Sequence, residues 1–185
     1  METHRWRAVL AILVVILFAA CAPSSPNPTP GGPGFDNGEV RFTAPTGWQL
    51  RDATTRHGPS WPLVFVANQP LHDDCAVSGS GMSCHSPIDL LGEGGVLVTW
   101  EVHMCVASGC ELPAGRALTV GNRQGVLGMP PAESCGEIGA TDRSAYYVTV
   151  APQRVDILFV CARNPTAATK SALLGFLDAI VWRIP

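Results

Sequence analysis

V-L-V-T-W-E-V-H-M, residues 96–104, places Val96, Val98, Trp100, Val102 and Met104 at every second position, with Leu97, Thr99, Glu101 and His103 between them. Successive side chains of an extended strand point to opposite faces, so this alternation predicts a strand with one apolar face. Strand signals continue on both sides of it. Upstream, Val40 and Phe42 alternate within Glu39–Ala44, Pro45-Thr46-Gly47 punctuates before Trp48-Gln49-Leu50, and Pro62–Ala67 is a β-branched and aromatic run. Downstream, Arg116–Val120 and Gln124–Leu127 flank the turn Gly121-Asn122-Arg123, and Ala145–Ala151 and Val155–Arg163 flank Pro152-Gln153-Arg154. Two segments lack periodicity and read as loops: a long one from Asn68 to Gly95, rich in Gly, Ser, Asp and His, and a Gly- and Pro-containing one that holds Cys135.

The last element reads as a helix. Asn164 can cap it and Pro165 can take its first position. Leu173, Phe176, Leu177, Ile180 and Ile184 follow at spacings of three and four, a stripe suited to lie on a sheet. The residues after Ile180 could instead turn into a short terminal strand. The expected class is α+β: an antiparallel sheet of about six to seven strands packed by a C-terminal helix.

The N-terminus carries an address. Met1 to Arg7 holds Arg5 and Arg7 against Glu2, and an apolar run of 13 residues follows from Ala8 to Ala20. That is the pattern of an export signal, and it is shorter than the roughly 20 residues a spanning helix needs. The segment Ala22–Gly34, A-P-S-S-P-N-P-T-P-G-G-P-G, cannot build a core and reads as a semi-extended tether. The expected organisation is a signal peptide over 1–20, a lipidated Cys21 with its tether over 21–34, and one disulfide-containing α+β domain over 35–185.

The reading of Cys21 rests on a resemblance. Leu17-Phe18-Ala19-Ala20-Cys21 resembles the lipobox of bacterial lipoproteins, in which Ala residues precede a lipid-bearing Cys; Phe18 stands where Leu is usual. The resemblance implies a diacylglycerol, with palmitate-type acylation, on Cys21 and a location on the extracytoplasmic face of the cell membrane. Seven cysteines less Cys21 leave an even set: Cys75, Cys84, Cys105, Cys110, Cys135 and Cys161. In an exported chain an even set argues for disulfides, although sequence alone does not choose the pairing. The pairs expected are Cys75–Cys84 and Cys105–Cys110, each closing a short polar loop, and Cys135–Cys161, left by elimination.

Chemistry-bearing patterns are sparse. His72, Asp73, Asp74, Cys75, Cys84 and His85 fall close together and supply zinc-type ligands. There is no C-x2-C knuckle, however, and an oxidising compartment would sooner pair Cys75 with Cys84 than leave thiolates for a metal, so no metal and no cofactor are expected. Gly79-Ser80-Gly81 lacks the frame of a nucleophile elbow, and Gly92-Glu93-Gly94-Gly95 has no lysine to reach a phosphate. His57, His72, His85 and His103 have no motif around them. Glu101 and His103 share a strand face and could pair across it. Trp100 belongs to the core by its parity, whereas Trp61, between Ser60 and Pro62, reads as a surface aromatic; with Trp48 they could line a groove. The net charge of −3, with Lys170 the only lysine, gives no clustered basic face and argues against a nucleic-acid partner.

Four stretches carry a further resemblance: F-x-A-P-x-G-W at Phe42–Trp48, G-G-V-L-V-T-W at Gly94–Trp100, L-P-A-G-R-A-L-T-V-G at Leu112–Gly121 and S-C-x-x-I-G at Ser134–Gly139. They resemble uncharacterised actinobacterial lipoproteins, whose architecture is similar to the PsbP-like α+β sandwich of LpqN-type lipoproteins. That implies a non-catalytic binding or accessory domain, held to the membrane by Cys21, with a protein or small-molecule partner the sequence does not name. The competing expectation is an extracytoplasmic hydrolase or metal-dependent enzyme built on the His/Asp-containing loop 72–85.

Overall fold

The run Val155–Ala162, V-D-I-L-F-V-C-A, is apolar on both parities except for Asp156, and such a run suits a strand covered on both faces. It lies in the middle strand of the main sheet. A computed structural model describes residues 31–53, 59–72, 75–78, 81–84, 86–105, 109–131 and 133–184, with backbone alone for 75–78, 81–84, 133 and 134. Its elements are β1 (Gly34–Asp36), β2 (Val40–Thr43), β3 (Gln49–Asp52), β4 (Ser60–Ala67), β5 (Cys75–Ser78), β6 (Gly81–Cys84), β7 (Val96–Met104), β8 (Arg116–Val120), β9 (Arg123–Gly128), α1 (Glu133–Gly136), β10 (Asp142–Ala151), β11 (Arg154–Ala162), α2 (Ala167–Asp178) and β12 (Val181–Trp182). The main sheet runs β3-β4-β7-β11-β10-β9-β8, a second runs β1-β2-β12, and β5 pairs with β6. Every pairing is antiparallel. The chain is therefore α+β, largely antiparallel sheet with a helix near its C-terminus.

One face of the main sheet meets the small sheet and α2. Val64 and Val66 from β4, Val98, Trp100 and Val102 from β7, and Leu158 and Val160 from β11 are buried there with Val40, Phe42, Phe176, Leu177, Ile180 and Trp182. Phe42 joins the layers. Its ring stacks on Trp100 at 5.6 Å and on Phe35 at 5.2 Å, and meets the edge of Phe176 at 5.2 Å. The opposite face is closed by loops and by α1: Ile88, Leu91, Cys135 and Ile138 pack on Ala67, Leu97 and Cys161. The disulfide Cys135–Cys161 fastens α1 to β11, and Cys105–Cys110 closes the loop after β7. Both pairs are as expected. A disulfide stabilises mostly by restricting the unfolded chain, by about 2–4 kcal/mol.

Several expectations change. The segment Asn68–Gly95 is not loop throughout, because β5 and β6 form a hairpin in it with Cys75 directly opposite Cys84; the side chains of that expected disulfide lie outside the described residues. The helix does not start at Asn164-Pro165. Asn164 takes φ 42° and gives its backbone N–H to Thr141 Oγ1, which leaves Thr166 as the cap, its hydroxyl accepting from Thr169 N at 3.1 Å. Helix α2 ends at Asp178, and the stripe continues past it: Ile180 is fully buried and β12 follows, so the terminal strand and the helix both exist. Met104 keeps the parity of the core face but is exposed. The backbone of Gly32 and Pro33 bonds to Ala44, so the sheet already holds the last residues of the expected tether.

Strand β12 is pinned from two sides. Asn122, in the β8–β9 turn, brackets Trp182 with both ends of its amide, giving Nδ2–H to Trp182 O and taking Trp182 N–H at Oδ1, each at 2.9 Å. Gly121 in the same turn takes φ 52°, and a Cβ there would fall 1.7 Å from Ile180 O, so only glycine fits. On the other side Arg183 forks onto both carboxylate oxygens of Asp36. The backbone N–H of Gly38 and then Arg183 hold the Asp36 carboxyl below its usual range.

Because Phe176 touches Phe42 and is 3% exposed, Phe176→Ala should lower stability by about 3–5 kcal/mol. Denaturant unfolding of the oxidised protein measures it, and a loss below about 1 kcal/mol would remove α2 from the core account.

Candidate functional site

The expected site residues scatter. Cys21, His57, Asp73, Asp74, Ser80 and His85 lie outside the described residues. His72 lines an open depression of about 430 Å³ with Gln69, Pro70, Ile88, Asp89, Leu90 and Gly92, its Nε2 3.6 Å from Asp89 Oδ1. Among the described residues no three His, Cys, Asp or Glu side chains come together as a metal set; most of the His/Asp loop 72–85 is not among them.

Glu101 and His103 do pair, and Ser60 joins them from the neighbouring strand. His103 Nε2 stands 3.0 Å from Glu101 Oε2 and 3.0 Å from Ser60 Oγ. Register explains the meeting: Ser60 on β4 lies directly opposite His103 on β7. A serine relay needs the hydroxyl on one ring nitrogen and the acid on the other. Here both partners share Nε2, so the arrangement is a cross-strand polar cluster and does not prepare a nucleophile.

A second polar group sits on the core face, and the sequence reading passed over it. Asp156 is fully buried. Its Oδ2 accepts the indole N–H of Trp100 and of Trp182, each at 3.1 Å, and Arg154 at 3.3 Å from Nη2. Its Oδ1 accepts Arg154 Nε at 2.8 Å. Residues two apart on a strand share a face, so β11 brings Arg154 beside Asp156, and the ladder sets them opposite Met104 and Val102. Arg154 then uses Nη1 to hold Glu39 at 2.7 Å. Burial works to lower the Arg154 pKa, but the hydrogen bonds and charges of Asp156 and then Glu39 outweigh it and raise the guanidinium above its usual value. A carboxylate with four bonds to N–H donors is well satisfied, as a buried charge must be.

Beside this group is a pocket of about 220 Å³ lined by Glu39, Trp61, Leu63, Val102, Met104 and Arg154. An irregularity in β4 shapes it. Pro62 pairs with Glu101 and Val64 with Trp100, leaving Leu63 as an extra residue, a bulge of the kind that accommodates proline inside a sheet. Leu63 and Val64 both enter the core. Trp61 is thereby a half-buried wall, not the free surface aromatic expected, and its indole N–H is closed from solvent without a hydrogen-bond partner. A donor left so costs about 1–3 kcal/mol.

Two signals could have found this site. In R-V-D-I-L-F-V, residues 154–160, the only charges of an otherwise apolar run fall on one parity, and Trp182 lies on the terminal strand left open above. No protein-family model matches the chain, and neither a curated protein nor a solved structure matches it.

Trp182→Phe removes one donor from Asp156. It should cost about 1.5–3 kcal/mol for the bond to a charged acceptor, beyond the loss from the smaller ring, read as a shift in denaturant midpoint at unchanged slope. A loss below about 0.5 kcal/mol would mean that the indole bond contributes nothing.

Proposed function

We propose that this chain is a lipid-anchored extracytoplasmic protein whose folded body is a non-catalytic binding or accessory domain. The observation that carries the binding role is the pocket at Trp61, Leu63, Val102 and Met104, with a charged pair, Arg154 and Glu39, on its rim. Apolar walls with few placed polar groups are what small-ligand sites are made of. The Ser60–His103–Glu101 cluster supports the same reading, since its shared nitrogen serves pairing better than proton relay.

The address follows from the first 21 residues, where the charged start, the apolar run and Ala19-Ala20-Cys21 fit export and lipidation. Disulfides in the body suit an oxidising compartment, and among the described residues no helix is long and apolar enough to cross a membrane. We place the domain at the cell membrane on its extracytoplasmic face, held by acyl chains on Cys21. We also assign the body to the PsbP-like class, with the antiparallel sheet and the C-terminal helix as support.

Orientation favours the role. The tether enters where Gly34 pairs with Thr43, whereas Glu39 lies in the turn at the other end of the β1–β2 hairpin. The rim of the pocket is thus at the hairpin end opposite Gly34.

Cys21→Ala should abolish labelling by a palmitate analogue and move the protein from the membrane pellet to the soluble fraction. A variant that still labels and still pellets would refute the anchor.

A further inference from the structure

We infer that the pocket beside Arg154 is a site for a small monocarboxylate with a short apolar body, and that Glu39 occupies the carboxylate's place when the site is empty. This rests on the binding reading above and names its ligand class. The apolar part is provided for by Trp61, Leu63, Val102 and Met104. A volume of about 220 Å³ lies just below the usual range of small-ligand pockets, which suits a short chain.

The charged part follows from how Arg154 is divided. Nε and Nη2 are committed to Asp156, which is fully buried and cannot leave. Nη1 faces Glu39, whose side chain is 44% exposed against 11% for Arg154. The two bonds are unequal in freedom: Glu39 can swing into water, and Arg154 cannot follow. Asp156 keeps the guanidinium paired when Glu39 leaves, but Nη1 still needs an acceptor at the pocket, and a charged acceptor bonds a guanidinium more strongly than a neutral one. A carboxylate takes the place of Glu39 without change of charge inside the pocket, because the Glu39 carboxylate is returned to solvent. An alcohol offers only a neutral acceptor and so the weaker bond, and a protonated amine is repelled.

The unpaired indole N–H of Trp61 gives independent support. It belongs to a residue of the pocket wall and is closed from solvent without a partner, so a ligand that draws the ring round would give it an acceptor. Ligand binding would thus satisfy a group that the empty protein leaves unmade. The bulge at Leu63 contributes as well, since it brings Trp61 and Leu63 into one wall.

Arg154 variants would strand Asp156 and fail to fold, so the test acts on Glu39. The lipidated protein, labelled with ¹⁵N at its tryptophans and purified in a neutral detergent, is titrated with hexanoate, hexan-1-ol and hexylamine, with empty micelles as reference. Trp61→Phe identifies the Trp61 indole resonance. Hexanoate should shift that resonance and saturate in the millimolar range, with hexan-1-ol at least about tenfold weaker and hexylamine without effect. Glu39→Gln, which removes the competing charge, should tighten hexanoate about tenfold. The proposal is overturned if hexanoate leaves the Trp61 resonance unmoved, if the alcohol binds as well as the acid, or if Glu39→Gln fails to tighten binding. Cys21 labelling is read separately, so failure here removes the carboxylate assignment and leaves the anchor standing.

Discussion

The carboxylate of Asp156 is a charge held out of water by two indoles and a guanidinium, and the donors come from separate parts of the chain. Trp100 belongs to β7, Arg154 to β11 and Trp182 to β12, some 80 residues after the first. Each donor to this buried charge contributes about 1.5–3 kcal/mol, so the group is fully stable only when all these pieces are in place together. The terminal strand, two residues long and unable to stand alone, is therefore required by the core of the main sheet. Helix α2 must span the distance that returns the chain to that point, and Asn122 and Arg183 fix the strand once it arrives.

The aromatic packing follows from the same constraint. With their N–H groups on one oxygen, the Trp100 and Trp182 rings come to 5.4 Å and a tilt of 51°. Phe42 then covers Trp100 and receives Phe176 on its edge. Layers that look independent, sheet and helix, are joined through one polar atom and four rings. The pocket is a by-product of the charge as well. Arg154 is there to neutralise Asp156, and its remaining edge opens beside Val102 and Met104.

Legibility in the sequence divided along physical lines. The strands around Val96–Met104 and the two downstream hairpins were readable because period-2 alternation and turn residues are local signals. The helix stripe was readable for the same reason, but its start was misplaced: Asn164 can cap as well as Thr166, and what decided was a tertiary bond from Asn164 to Thr141. The β5–β6 hairpin was invisible because its two strands are only four residues each, too short to carry a periodic signal. Cys105–Cys110 was readable from loop length, whereas Cys135–Cys161 followed only by elimination.

The site was the least legible part. Asp156 and Arg154 sit one parity apart from anything hydrophilic around them, yet their partners Trp100, Trp182 and Glu39 are distant in sequence, and only the fold brings them together. His103 and Glu101 were visible as a pair because they share a strand, but Ser60, 43 residues away, was not. The pocket depends on a bulge, which sequence marks only weakly, by Pro62 inside a strand.

The account stands most directly on the equilibrium unfolding free energy of Asp156→Asn at neutral pH. The amide keeps the shape but leaves Arg154 without its counter-charge and offers one acceptor where two are needed. The prediction is a loss of about 3–5 kcal/mol; a variant within about 1 kcal/mol of the wild type would contradict the claim that this carboxylate organises the fold.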